Sequence, residues 1–256
     1  MTDLSHLLVD RQGPIVTVTL NRPEQRNALS LPLMLELTEV LQQIGSSDAR
    51  GVILAANGPV FSAGHHFADM AGHSHAEVRE LFRICTEMMD LLQALPQPVV
   101  ARVHGLATAA GCQLVATCDL AIAADETRFG VNGVNIGLFC STPIVALSRK
   151  IPQGAAFELA ATGEFLSATR AQTLGLANRV TSAEDLSAQT MTLAQTLAQK
   201  LPAALSIGKA AFAAQTGLPL DQAYAAAGSA MVDNLLNSDT SEGITAFLEK
   251  RPPNWA

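Results

Sequence analysis

Two short stretches carry residue types that could do chemistry: "FSAGHHFADM" at 61–70 and "GLATAAGCQL" at 105–114. Each places Gly and Ala after an apolar run, so backbone can come close to a ligand there. If the two loops converge at one sheet edge, each can aim a backbone N–H at the same substrate oxygen. Such an oxyanion hole stabilises charge that develops on a carbonyl oxygen, and losing one donor typically costs about 2.7–4 kcal/mol. Two unrelated tight turns would give the same pattern of small residues. The first substantial polar side chain of the second loop is Gln113, which can orient a partner by hydrogen bonding but does not trade protons near neutral pH.

Other reactive side chains lie nearby in sequence. His65 and His66 bring imidazoles that can act as acid or base at neutral pH. Cys140 could attack a thioester or move a proton, although a thiol in apolar surroundings keeps a raised pKa and more often serves as a small core residue. Ser141 follows it. His65, His66, His73 and His75 with Asp69 are good zinc-ligand types, but their spacing matches no familiar zinc motif, so no metal site is expected. The chain has no GxSxG, no P-loop and no GxGxxG after its first strand.

The elements that must position these loops follow from periodicity. "PIVTVTL" (14–20) alternates as a strand does, and Ser30 with Pro32 starts a helix running to about residue 44. "GVILAA" (51–56) reads as a buried strand closed by the Asn57-Gly58-Pro59 turn. A helix over about 76–95 leads to the strand "PVVARVHG", the second loop with its own helix, and the strand "DLAIAAD". Strand, loop and helix thus repeat, which predicts an α/β or β-β-α repeat with its loops at one edge of the strands. From about residue 142 helices dominate: 153–162, 168–174, one after Ser182, then 202–215, 221–236 and 241–250. Ser182 with Asp185 has the spacing of a capping box.

Composition narrows the function classes. The chain has 256 residues, 48% hydrophobic and 15% charged, which suits a packed globule with a sizeable core. Aromatic residues make up 4%, so Ala, Leu, Val and Ile must fill that core. A net charge of −7 without a Lys/Arg cluster argues against a nucleic-acid partner. No apolar run approaches the roughly 18 residues needed to cross a bilayer, and no membrane partner is expected. The opening "MTDLSHLLVDRQG" has neither a basic n-region nor an apolar h-region. Four cysteines without CxxC spacing read as free thiols of a reducing compartment, with the cytosol as the expected location.

In their order and spacing, "NRPEQRNALS", "FSAGHHFADM", "PVVARVHGLATAAGCQLVATCDLAIAADETRFG", "TGEFLSATRAQTLGLANRV" and "EGITAFLEKR" resemble the crotonase (enoyl-CoA hydratase/isomerase) superfamily. The resemblance covers essentially the whole chain, and "GLATAAGCQL" with "GVNIGLFCSTP" resembles one subgroup within it. It implies a β-β-α spiral core over 1–200 and a helical trimerisation region over 201–256, assembled as a homotrimer or a dimer of trimers. It further implies an acyl-CoA thioester as substrate, with no cofactor beyond coenzyme A itself. The N–H groups of His65 and Ala110 would form the oxyanion hole. Arg26, Ala28, Ser62, Ala63 and Gly64 would line the CoA path, and Phe247 and Lys250 would close it.

The departures from that family pattern bear on the reaction. Hydratases of the superfamily place glutamates where this chain has Gln113 and Gly133, and those carboxylates hold and deprotonate a water. General acid–base catalysis is worth about 10²–10⁴-fold, so hydration by that mechanism is not supported. Ser141 falls nearest to the catalytic aspartate of some isomerases. Three readings follow: enolate chemistry of the hydratase or isomerase type with other proton movers, thioester hydrolysis, and acyl-CoA binding without catalysis.

Overall fold

A computed structural model describes residues 4–255. β1 (Leu7–Gln12) and β2 (Ile15–Leu20) form a hairpin over Gly13, and α1 (Leu31–Gly45) follows. Next come β3 (Gly51–Ala56), α2 (His75–Ala94), β4 (Val99–Val103), β5 (Leu106–Thr108) and α3 (Ala110–Thr117). The chain continues through β6 (Leu120–Ala124), β7 (Arg128–Gly130), α4 (Ser141–Lys150), α5 (Gln153–Thr162), β8 (Phe165–Ser167), α6 (Ala168–Leu174) and β9 (Arg179–Thr181). Four helices end it: α7 (Leu186–Ala198), α8 (Pro202–Gln215), α9 (Leu220–Leu235) and α10 (Ser238–Leu248).

Nine strands make two sheets among the described residues. The larger has the order β1-β2-β3-β4-β6-β9, parallel apart from the β1–β2 hairpin; the smaller has the order β5-β7-β8. β3 is apolar at every position because neighbouring elements cover both faces, and all six of its residues are buried. α1 turns Leu33, Met34, Leu37, Val40, Leu41 and Ile44 inward, one stripe at helical spacing. β1 was not evident in the sequence: only Leu7 of its six residues is buried, as suits an edge strand with little apolar alternation.

The expected helices appear with small shifts at their ends. Ser30 does stand at the N-cap of α1, yet its hydroxyl accepts from Arg22 Nη1 (2.5 Å). The Leu31 N–H at the helix start is met instead by Asp69 Oδ2 at 2.8 Å. α2 begins with a capping box between Ser74 and Glu77. Of the capping box expected at Ser182 and Asp185 only one bond forms, Asp185 N–H to Ser182 Oγ at 3.2 Å; the Asp185 carboxylate takes the Ser182 hydroxyl at 2.9 Å, and Asp185 itself stands at the uncapped N-cap of α7.

α8 and α9 pack on each other and bury none of their own residues. A groove of about 500 Å³ runs between them, lined by Phe212, Tyr224 and Met231 among others. The helical end is fastened to the sheet by Lys209 Nζ, which reaches Asp119 Oδ2 at 2.7 Å and the Gln97 carbonyl at 3.2 Å. Among the described residues no helix is long and apolar enough to cross a membrane.

Candidate active site

The two loops singled out in the sequence meet. A short parallel bridge joins Ser62 to Ala107, through Ser62 N–H to the Leu106 carbonyl (3.2 Å) and Thr108 N–H to the Ser62 carbonyl (3.0 Å). A second bridge joins Leu29 to His65, with Leu29 N–H donating to Gly64 at 2.7 Å and His66 N–H to Leu29 at 3.3 Å. The Ala63 amide donates to the Arg26 carbonyl at 3.0 Å, so the 26–29 segment lies along the first loop. Ala28 is buried there and Arg26 is exposed.

Two glycines make the approach possible. Gly64 has φ +88°, and a Cβ on it would fall 2.8 Å from Ala109 Cβ and 3.1 Å from the Ala110 nitrogen. On Gly111 a Cβ would meet Ser62, backbone and side chain alike, within 2.8 Å. Ala109 itself sits at φ +49°, ψ −123° as the N-cap of α3, a strained conformation of the kind that functional turns hold. Its N–H is taken by the Gly130 carbonyl at 2.9 Å.

What remains free is a pair of amides. Among the described residues neither the His65 N–H nor the Ala110 N–H meets a protein acceptor; Ala110 opens α3, where no intrahelical partner exists. Brought onto adjoining backbone, two such donors can take one carbonyl oxygen between them.

The side chains around this pair are polar and short of partners. Gln113 is 6% exposed with Oε1 unpartnered, and both ring nitrogens of His65 are buried without a partner. The His65 ring stands edge-on to Phe82, centroids 5.2 Å apart. Burial pushes its pKa below the ordinary histidine value, opposed by the Leu29 carbonyl, which lies near without completing a hydrogen bond, and by Asp69. The His65 imidazole is therefore kept neutral. The neighbouring His66 has its Nδ1 3.3 Å from Asp69 Oδ1. Since a carboxylate only accepts, that contact favours a proton on Nδ1 and leaves Nε2 free.

Gly133 and Cys140 form a second cluster beside the first. The 130–133 segment is tied to the second loop by Thr108 Oγ1 and Asn132 Oδ1, 2.6 Å apart, and by the Ala109–Gly130 bond. A Cβ on Gly133 would lie 2.5 Å from the Leu138 carbonyl oxygen and 2.9 Å from Cys140 Sγ. No side chain fits at Gly133 without a shift of that backbone. Burial raises the Cys140 thiol pKa, with the Gly133 backbone opposing it, and pushes buried Cys85, Cys112 and Cys118 up to about 12.

Other expected site residues are not gathered in. Ser141 is exposed at the start of α4, its Oγ donating to Phe139 at 3.3 Å. Phe247, 81% exposed, and Lys250 lie on and after α10; among the described residues no hydrogen bond or ion pair joins their side chains to the loops. His73 Nε2 bonds the Ala68 carbonyl at 3.2 Å, and no group of three or more His, Cys, Asp or Glu among the described residues is placed to hold a metal ion.

Asn27 was missed in the sequence although it organises the first loop. Fully buried at φ +49°, it donates Nδ2 to the Asn57 and Val60 carbonyls (2.8 and 2.9 Å) and takes the Arg22 N–H on Oδ1. Its carbonyl also accepts the Ser62 hydroxyl. The tolerance of Asn for left-handed backbone was the available signal.

A mixed α/β core with two free amides at the junction of loops that follow parallel strands is the arrangement of the crotonase fold. The chain belongs to the enoyl-CoA hydratase/isomerase family: the family model matches residues 10–256. An enoyl-CoA hydratase structure from Mycobacterium smegmatis superposes with a TM-score of 0.95 at 47% identity, covering 98% of this chain and 99% of that one. Within the family the subgroup is also clear. The chain is 44% identical over 251 residues to the mitochondrial enoyl-CoA hydratase domain-containing protein 3 of Danio rerio, covering 97% of this chain and 87% of the relative. It is 45% identical to the Mus musculus protein of the same name, at 96% and 83% coverage. These names correct the cytosolic location expected from the sequence, because both relatives are called mitochondrial. Buried free thiols report a reducing environment, and that is not a property of one compartment alone.

Proposed function

We propose that the protein binds an acyl-CoA thioester, takes the thioester carbonyl oxygen between the His65 and Ala110 amides, and stabilises the enolate that forms when a proton leaves the α-carbon and that is discharged when a proton returns there. The observation that carries this reading is the pair of unpartnered amides on adjoining backbone, held there by Gly64 and Gly111. Arg26, Ala28, Ser62, Ala63 and Gly64 would line the CoA path, and no cofactor beyond coenzyme A is needed. Residues 201–256 would associate in a homotrimer. The apolar side chains that α9 leaves exposed, Leu220, Tyr224, Met231 and Leu235, support this, and a neighbouring subunit would bring Phe247 and Lys250 to the path.

Hydration through two carboxylates is not part of the proposal. Gln113 can orient a water or an acyl substituent, and at Gly133 there is neither a carboxylate nor room for one. In this reading the proton mover is His66, whose ring contacts Asp69.

The test is mass spectrometry of two thioesters after incubation with the purified protein. Butyryl-CoA in heavy water should gain deuterium at its α-carbon, which reads enolate formation directly. Crotonyl-CoA heavier by one water would mean hydration without the two glutamates. Free CoA would replace the enolate reading with hydrolysis, and unchanged thioesters under saturating binding would leave a binding protein.

A further inference from the structure

Gln113 divides its amide between two surroundings. The residue is 6% exposed, and Oε1 is sealed without a partner. Nε2 meets no protein acceptor either, yet it is not sealed: among the described residues the buried side-chain nitrogens without a partner belong to Arg50 and His65 alone. Turning the amide over would bury two N–H groups in place of one lone oxygen, and an orphaned N–H is the rarer of the two in folded chains. The reachable atom is therefore the donor.

The place of Gln113 on α3 directs that donor to the candidate active site. Gln113 lies three residues beyond Ala110, and residues so spaced share one helix face. Side chains on a helix lean toward its N-terminus, and a long one lies over the preceding turn. For Gln113 that turn is the one that opens with the free Ala110 amide. A ligand there meets three donors, the His65 and Ala110 amides and Gln113 Nε2, with no carboxylate among them. The nearby acid, Asp69, is engaged by the Leu31 N–H at 2.8 Å and by His66.

Three neutral donors suit an acyl group with two acceptor oxygens. A plain acyl chain supplies one, at the thioester, and leaves Nε2 against hydrocarbon without the hydrogen bond it had to water. A carbonyl on the β-carbon supplies the second and also acidifies the α-proton, because the electron pair left when the C–H bond breaks spreads over both oxygens. Resting on the acyl-CoA reading above, we propose that this site takes 3-oxoacyl-CoA thioesters and that Gln113 selects the 3-oxo group. The His65 and Ala110 amides hold one oxygen of the enolate and Gln113 Nε2 holds the other. The proton goes to His66 and returns to the same carbon. A base as weak as imidazole is matched to a proton so acidified.

The experiment is calorimetric titration of the full chain with three thioesters of one chain length, butyryl-CoA, 3-hydroxybutyryl-CoA and acetoacetyl-CoA. The ultraviolet spectrum of bound acetoacetyl-CoA is followed against pH alongside. Acetoacetyl-CoA should bind at least about tenfold more tightly than butyryl-CoA, and its enolate band should appear about one pH unit or more below its position in free solution. Gln113→Met keeps the size of the side chain and removes the donor. It should weaken acetoacetyl-CoA at least about tenfold and butyryl-CoA less than about threefold, and return the enolate band toward its free position. The band in the native chain carries the test if that variant fails to fold. Equal affinity for acetoacetyl-CoA and butyryl-CoA would overturn the 3-oxo assignment and leave the acyl-CoA reading standing. Tightest binding of 3-hydroxybutyryl-CoA would overturn it as well, since a hydroxyl so favoured donates to Oε1. An undiminished preference in Gln113→Met would remove Gln113 from the assignment. No binding of any of the three would overturn both readings.

Discussion

Gly111 rests on Ser62 so closely that a Cβ on the glycine would fall 2.5 Å from the Ser62 carbonyl oxygen. Ser62 in turn takes the Thr108 N–H on that oxygen and gives its hydroxyl to Asn27. One contact therefore sets the distance between the two amide donors and is braced from both sides.

Gly111→Ala should push α3 off the first loop. Overpacking of this kind costs about 1–3 kcal/mol, and acyl-CoA affinity should fall further than stability does, because amide spacing is what the change disturbs. Isothermal titration with an acyl-CoA checks it. Unaltered affinity in a folded variant would remove these loops from the binding site.

Gly133→Ala should destabilise by a similar amount, about 1–3 kcal/mol, through its collision with Leu138 and Cys140. Cys140→Gly in the same chain should recover part of that loss but not all of it, since the nearer obstacle is the Leu138 carbonyl. A double-mutant cycle from denaturant melts measures the coupling. Gly133→Glu alone should not create hydratase activity, and a gain of crotonyl-CoA hydration in that variant would contradict the packing described.

His65 gives stability a pH dependence of known sign. Its folded pKa lies below the unfolded value of about 6.5, so between the two the unfolded chain binds the extra proton. Stability from this residue is complete above about pH 6.5 and declines as pH falls toward the folded pKa. Tm measured from pH 7.5 down to 5 should drop more in the native chain than in His65→Gln. Parallel curves would show that the ring is not held neutral.

Asp69 serves two partners, and they can be separated. Asp69→Ala removes both the cap on Leu31 and the orientation of His66, with a stability loss near the 0.5–2 kcal/mol of a lost N-cap, about 1 in most cases. His66→Gln leaves the cap in place and should be close to neutral for Tm. Both should slow α-deuteration of butyryl-CoA by at least tenfold. A variant of His66 that exchanges at the native rate would return the proton-transfer role to another group.

The sequence made the scaffold legible where pattern and burial agree. β3 is apolar throughout and buried throughout, α1 carries one apolar stripe, and both loops show their small residues openly. Contacts between distant segments were harder to read. Asp69 at the start of α1, Asn27 beneath the first loop and Cys140 against Gly133 join residues that no local period relates. β5 and β7 are three residues each and lay hidden inside apparent loop, because three residues carry too little alternation to stand out.

Trp255 is the single tryptophan of the chain, and it is lodged at one place. Its Nε1 donates to the Gln199 carbonyl at 3.0 Å, and its ring lies where a Cβ on Gly243 would meet it at 2.7 Å. The tryptophan fluorescence of the protein, excited beyond the absorption of Tyr224, is thus the optical signature of one joint, where the tail folds back over the end of α7 and under α10. Emission at this indole reads the seating of the C-terminal helices without any label. A red shift that precedes loss of far-ultraviolet ellipticity on heating would time their release separately from the melting of the sheet.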